Sequence, residues 1–100
     1  MSDLDIAEIP YPSGTVHFRY SRYLAADGSV WIRHGLFRAF HENGLLASEG
    51  SYEHGKEHGI WRDYHANGQL AAEGAYVNGE ESGAWQYWSA NGAANPSSAA

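Results

Sequence analysis

Six histidines and twelve Asp or Glu side chains are the groups in this 100-residue sequence that could hold a metal ion or carry a proton. His54 and His58 have a spacing found in zinc sites, and His34 stands 24 residues before His58. A zinc site needs more ligands than these. The chain has no cysteine and no carboxylate set fixed beside the loop histidines, so neither a metal nor another cofactor is expected. His41 and His65, also 24 residues apart, read as members of a pattern near hairpin tips, where they would make binding sensitive to pH around 6 to 7. Catalysis would need a nucleophile, a base and an orienting group in one pocket. No Gly-x-Ser-x-Gly, His-Glu-x-x-His or phosphate-cradling loop occurs. Glu49, Glu73 and Asp63 fall on regular strands, and the first two have arginine partners in the register derived below, so no catalytic residue is expected and the chain reads as a non-enzyme.

The pattern that carries these residues is a repeat. Gly35-Leu36-Phe37-Arg38-Ala39-Phe40-His41-Glu42-Asn43-Gly44 returns 24 residues later as Gly59-Ile60-Trp61-Arg62-Asp63-Tyr64-His65-Ala66-Asn67-Gly68, and again as Gly83 to Gly92. Leu46, Glu49, Gly50, Tyr52 and Gly55 recur as Leu70, Glu73, Gly74, Tyr76 and Gly79. Fourteen aromatic residues and twelve glycines suit twisted strands joined by tight turns, which makes the expected class all-β: a single antiparallel meander of repeated hairpins with little or no helix.

Asn43-Gly44 and Asn67-Gly68 predict two-residue type I′ tips. Counting outward from the second places Ala66 opposite Gln69, Tyr64 opposite Ala71, Arg62 opposite Glu73 and Trp61 opposite Gly74. The earlier copy sets Arg38 against Glu49 and Phe37 against Gly50. A slip of one residue would break the charge pair and the aromatic-over-glycine pair in both copies, so the two copies fix one register. The connections 54–59 and 78–83 predict wider loops. Strands are expected near 36–41, 45–53, 60–65, 69–77 and 84–88. Upstream, strands over 15–23 and 29–33 meet through Asp27-Gly28. The domain is then 14–92, made of a degenerate capping repeat 14–34, repeats 35–58 and 59–82 and a half repeat 83–92, with 1–13 and 93–100 as tails.

Six basic against twelve acidic residues give a net charge of −6, which opposes attachment to nucleic acid or anionic lipid and favours a basic protein partner. The acidic start has no secretory pattern and no run approaches the length of a membrane helix, so a cytoplasmic protein is expected.

The pattern Gly-x-Trp-x-x-Tyr-x-x-Asn-Gly-x-Leu-x-x-Glu-Gly-x-Tyr-x-x-Gly over residues 35–92 resembles the variant MORN repeat (membrane occupation and recognition nexus). The resemblance implies an elongated sheet of hairpins used for recognition. It also implies roles known for such proteins: phosphoinositide membranes, dimerisation, scaffolding and, in bacterial proteins with this variant, antitoxins. The acidic charge departs from what a lipid-binding member needs.

Alternation places Phe37, Trp61 and Trp85 on one face at two-strand intervals of roughly 9–10 Å, and Phe40, Tyr64 and Trp88 on the other. A single-layer sheet cannot cover both ladders. The expected partner-binding surface is therefore Tyr52, Trp61, Arg62, Tyr64, Tyr76, Trp85 and Trp88. The leading function is an antitoxin or immunity protein that covers a basic toxin. A self-associating scaffold, such as a homodimer, and peripheral membrane binding stay open as alternatives.

Overall fold

In the computed structural model, which describes residues 4–95, the chain is an eight-stranded antiparallel meander with every strand hydrogen-bonded to its sequence neighbours. The strands are β1 (Asp5–Pro10), β2 (Val16–Leu24), β3 (Trp31–Phe40), β4 (Leu46–Glu53), β5 (Lys56–Tyr64), β6 (Leu70–Val77), β7 (Glu80–Trp88) and the two-residue β8 (Ala94–Asn95). No helix occurs among the described residues. The paired ribbons follow the repeat, and Arg62 pairs with Glu73 and Arg38 with Glu49.

The turn types are the reverse of those expected. His54 and Asn78 have left-handed φ angles of 49° and 54° and are each followed by a glycine at 89° or 86°, so the tight two-residue turns are His54-Gly55 and Asn78-Gly79, not the wider loops predicted there. At the Asn-Gly tips only the glycine has positive φ, 91° at Gly68, which excludes a type I′ turn. Instead Gly68 N–H donates to the His65 carbonyl and His65 N–H to the Gln69 carbonyl, a three-residue connection ending in a left-handed glycine. Tyr64 therefore pairs with Leu70 rather than Ala71, and Ala71 is left as a bulge. That bulge returns the register to Asp63 opposite Ala72, so the two departures cancel and the pairs farther from the tip fall where a two-residue turn would put them.

The ends also differ from the tails expected. Asp5–Pro10 pairs with β2, Ala7 is buried, and Ala94–Asn95 pairs with Tyr87 and Trp88. The rest of both predicted tails, 1–3 and 96–100, lies outside the described residues. The strands predicted separately at 29–33 and 36–41 are one strand, β3, continuous through Gly35 at φ 95°. The N-terminal unit is also less degenerate than its sequence suggests. Tyr11 and Gly14 close a tip with the hydrogen bonds of His41 and Gly44. The 24-residue period fails to find this unit because the hairpin β2–β3 is closed by the six residues 25–30, where the later hairpins use two.

The core is a row of rings on one face. Phe37, Trp61 and Trp85 are buried with Ala39 and Ala72, and Phe18, Tyr20, Tyr52, Tyr76 and Tyr87 pack around them. Trp61 has Gly74 as its pairing partner, as expected, but its ring lies over Gly50 on the other neighbouring strand. A bulge produces this. Between the pairs Ser51–His58 and Glu49–Arg62, Gly50 alone spans Gly59, Ile60 and Trp61, and Gly59 takes a φ of 84° to make the offset. The indole then crosses β4, donates Nε1–H to the Ser51 carbonyl at 3.1 Å and reaches Phe37 at 5.6 Å between centroids. The two-strand spacing of 9–10 Å expected between these rings is closed because no side chain on Gly50 stands between them. Trp85 covers Gly74 in the same way.

A methyl group at Gly50 would collide with the Trp61 ring atoms, which are packed on both sides. Gly50→Ala is expected to cost about 2 kcal/mol by overpacking. Denaturant unfolding followed by tryptophan fluorescence checks this; a loss no larger than that of an exposed Gly-free control such as Ser51→Ala would contradict the packing described.

Candidate functional site: an aromatic sheet face

Successive strand residues point to opposite faces, so the register sorts the seven predicted contact residues. Tyr52, Trp61, Tyr76 and Trp85 are brought together: Tyr52 meets Trp61 edge-on at 5.3 Å, Trp61 meets Tyr76 at 6.0 Å, and Tyr76 meets Trp85 at 5.2 Å. Edge-to-face contacts of this kind set the positive rim of one ring against the negative face of the next. Arg62, Tyr64 and Trp88 fall on the other face, so the seven residues do not form one surface. Within the aromatic set, Trp61 and Trp85 are only 8% and 6% exposed, which makes them the floor, while the half-buried tyrosines form the accessible layer.

The opposite face is polar at the same level. Glu8, Arg19, Arg38, Glu49, Arg62, Glu73 and Gln86 stand in register across β1 to β7 as one row of cross-strand partners. Arg19 approaches Glu8 at 3.5 Å, Arg38 approaches Glu49 at 3.6 Å, and Arg62 Nε donates to Glu73 Oε2. The hydrogen bond and charge of Glu73 hold the Arg62 guanidinium further in its charged form. These pairs are substantially exposed, so they fix register more than they stabilise.

The tips of the meander are cross-linked. His41 Nε2 pairs with the Tyr64 carbonyl and His65 Nε2 with the Trp88 carbonyl, each at 2.8 Å, while Tyr11 Oη donates to the Phe40 carbonyl at the matching place. Asn43 and Asn67 donate Nδ2–H to the carbonyls of Ala66 and Ala90 in the next tip, and their Oδ1 atoms accept from Leu45 N–H and Gln69 N–H. The recurring His and Asn therefore lace one hairpin to the next. His54 and His58 do not converge. His54 Nδ1 pairs with Tyr23 Oη at 2.7 Å and its ring stands 4.6 Å from that of His34, whereas His58 lies 3.8 Å from Glu53.

Charge divides the aromatic face. Glu57 and Glu81 are the cross-strand partners of Tyr52 and Tyr76. Burial, followed by the charges of Glu81, Glu57 and Asp63, pushes the Tyr76 hydroxyl above its ordinary value of 10.0. At the corresponding place in β2–β3 the pair is Arg22 and Arg33. Sequence reasoning did not single out these arginines, because the longer hairpin moves them out of the 24-residue frame.

Tyr64 is likewise raised above 10.0, by burial first and then by Glu49. A phenol whose folded value lies above its unfolded one stabilises the fold fully below the unfolded value, and that stability is lost as pH rises through the folded value. Stability is therefore expected to fall on alkaline titration above about pH 10, with Tyr64→Phe and Tyr76→Phe each flattening the fall. Thermal melts across pH 8 to 11, in a range set by the ordinary tyrosine value, check this; an unchanged slope in both variants would contradict it.

Comparison with known proteins agrees with the repeat described above. A family model described as the MORN repeat variant matches residues 33–54 and 57–78. No curated protein and no solved structure matches the chain. The two matched segments cover the hairpin strands and tight turns of β3–β4 and β5–β6, in which Trp61 crosses to Gly50, and on this sequence and fold the chain belongs to the variant MORN-repeat proteins.

Proposed function

We propose that this chain is a non-enzymatic binding module that lays the aromatic face of its sheet on a partner protein, as an antitoxin or immunity protein covers a toxin. The observation that carries the reading is a continuous ladder of rings from Tyr20 to Trp85 on a single-layer sheet, with no second layer over it among the described residues. MORN repeats are generally non-catalytic, which suits a module of this kind. Rigid tyrosines on a tryptophan floor supply contact area at low entropic cost, a property of strong interface residues.

A basic partner fits the surplus charge of −6 and the cluster of Glu57, Asp63 and Glu81 beside Tyr76. The same charge opposes nucleic acid and anionic membranes, and the cytoplasm is the compartment in which such a neutralising role would be exercised. A second reading, self-association into a scaffold, is favoured by β1, whose outer edge pairs with no described strand. Sedimentation at several concentrations separates the two; a monomer throughout removes the second.

The test of the first reading is co-expression with the product of the adjacent gene. Co-purification and protection of the host are expected, with Tyr52→Ser/Tyr76→Ser weakening the complex about thirtyfold. Arg62→Ala, on the other face, is expected to change it less than about threefold. Failure to bind or protect would remove the antitoxin reading, and the reverse ranking of the variants would move the contact to the polar face.

A further inference from the structure

The hairpin β2–β3 breaks the chemical pattern of its relatives at one place. Where the later hairpins set tyrosine against glutamate, Tyr52 with Glu57 and Tyr76 with Glu81, this one sets Arg22 against Arg33. Capping does not require the change, since both strands are paired on both sides. Two like charges directly opposite each other are destabilising in a sheet. The arrangement lowers that penalty only in part: Arg22 Nε donates to Asp5 Oδ2 at 2.8 Å, while no carboxylate approaches Arg33 among the described residues.

Both guanidinium groups are held by rings. Arg22 lies 4.0 Å over the exposed Trp31 indole, and Arg33 lies 4.9 Å over Tyr20 and 5.5 Å over Tyr52. A guanidinium lying on a ring face keeps its N–H donors in its own plane, pointing away from the ring, and it has lost much of its freedom before any ligand arrives. These arginines, with Tyr20, Trp31, Ile32 and His54, line an open cavity of about 410 Å³ with no carboxylate in its wall.

We propose that Arg22 and Arg33 form a receptor for a single carboxylate presented on a flat apolar group, with the carboxylate bridging the two guanidinium groups and the apolar group lying against Trp31. The charge balance selects a monoanion. Two arginines less the Asp5 carboxylate leave one positive charge, which one carboxylate neutralises and a dianion overshoots. Bidentate pairing of carboxylate with guanidinium supplies the directionality. The site stands apart from the protein-binding reading, because a small carboxylate tests it without any partner; on a protein, the same chemistry is an acidic side chain beside an aromatic one.

The test is an NMR titration of the full chain with benzoate, methyl benzoate and inorganic phosphate, reading the Arg Nε–H and Trp indole signals. Benzoate is expected to bind saturably in the millimolar range, shifting Arg22, Arg33 and Trp31 together, with methyl benzoate silent and phosphate weaker. Arg33→Gln is expected to weaken benzoate about tenfold and Arg33→Lys less, the lysine keeping the charge but not the fork. An absence of saturable shifts, equal shifts from the neutral ester, tighter binding of phosphate, or unchanged affinity in a folded Arg33→Gln would each overturn the proposal. The three ligand arms on the unaltered protein decide the matter even where a variant fails to fold.

Discussion

A single sheet has to make its core on its own surface, and here it does so by laying an indole over a strand that has no side chain. Trp61 on Gly50 and Trp85 on Gly74 are the same contact made twice, one period apart. The bulges at Gly59 and Gly83 tilt the tryptophans back across the preceding strand. That movement brings rings from alternate strands into contact and excludes water from a layer one side chain deep. Without it, each ring would stand alone on an exposed surface and the burial that stabilises small domains would be lacking. The first hairpin has Tyr20 opposite its ring, and there the ring is the smaller Phe37, which stacks on Tyr20 at 5.8 Å.

The fold was legible because the 24-residue period carries two kinds of mark at once. The Arg–Glu pairs and the ring–glycine pairs agree on one register, and Arg62 opposite Glu73 and Trp61 opposite Gly74 are both found. Which strand the ring covers was not legible. Pairing partners are read along the ladder, whereas the ring's direction depends on a bulge whose only mark in the sequence is a glycine two residues before the tryptophan. The tips misled for a related reason. Asn-Gly suits a type I′ turn, but here the asparagine's amide is used between hairpins, as in Asn67 to Ala90, and a three-residue tip lets it reach.

The candidate site was legible as composition but not as a surface. Alternation could place Tyr64 and Trp88 opposite Trp61, yet it could not say that Trp61 and Trp85 become floor while Tyr52 and Tyr76 remain accessible. Arg22 and Arg33 were missed entirely, because the six residues at 25–30 shift the first unit out of phase and hide its correspondence with Tyr52 and Glu57. A search allowing one insertion would have found Pro10-Tyr11-Pro12-Ser13-Gly14 in line with Tyr64-His65-Ala66-Asn67-Gly68. The aligned units then show an aromatic face positive at its N-terminal end and negative beyond it. Such a division can orient a partner as well as hold it.

Ring-current shifts at the two covered glycines report most directly on the contact beneath all of this. An indole lying flat on the backbone of Gly50 moves that residue's Hα signals strongly upfield and gives cross-relaxation between them and the Trp61 ring, with the same pair of signals for Gly74 and Trp85. Hα signals of Gly50 near their unfolded positions, with Trp61 instead close in space to Gly74, would mean that the rings stay on their own pairing partners and that the sheet is not packed in this way.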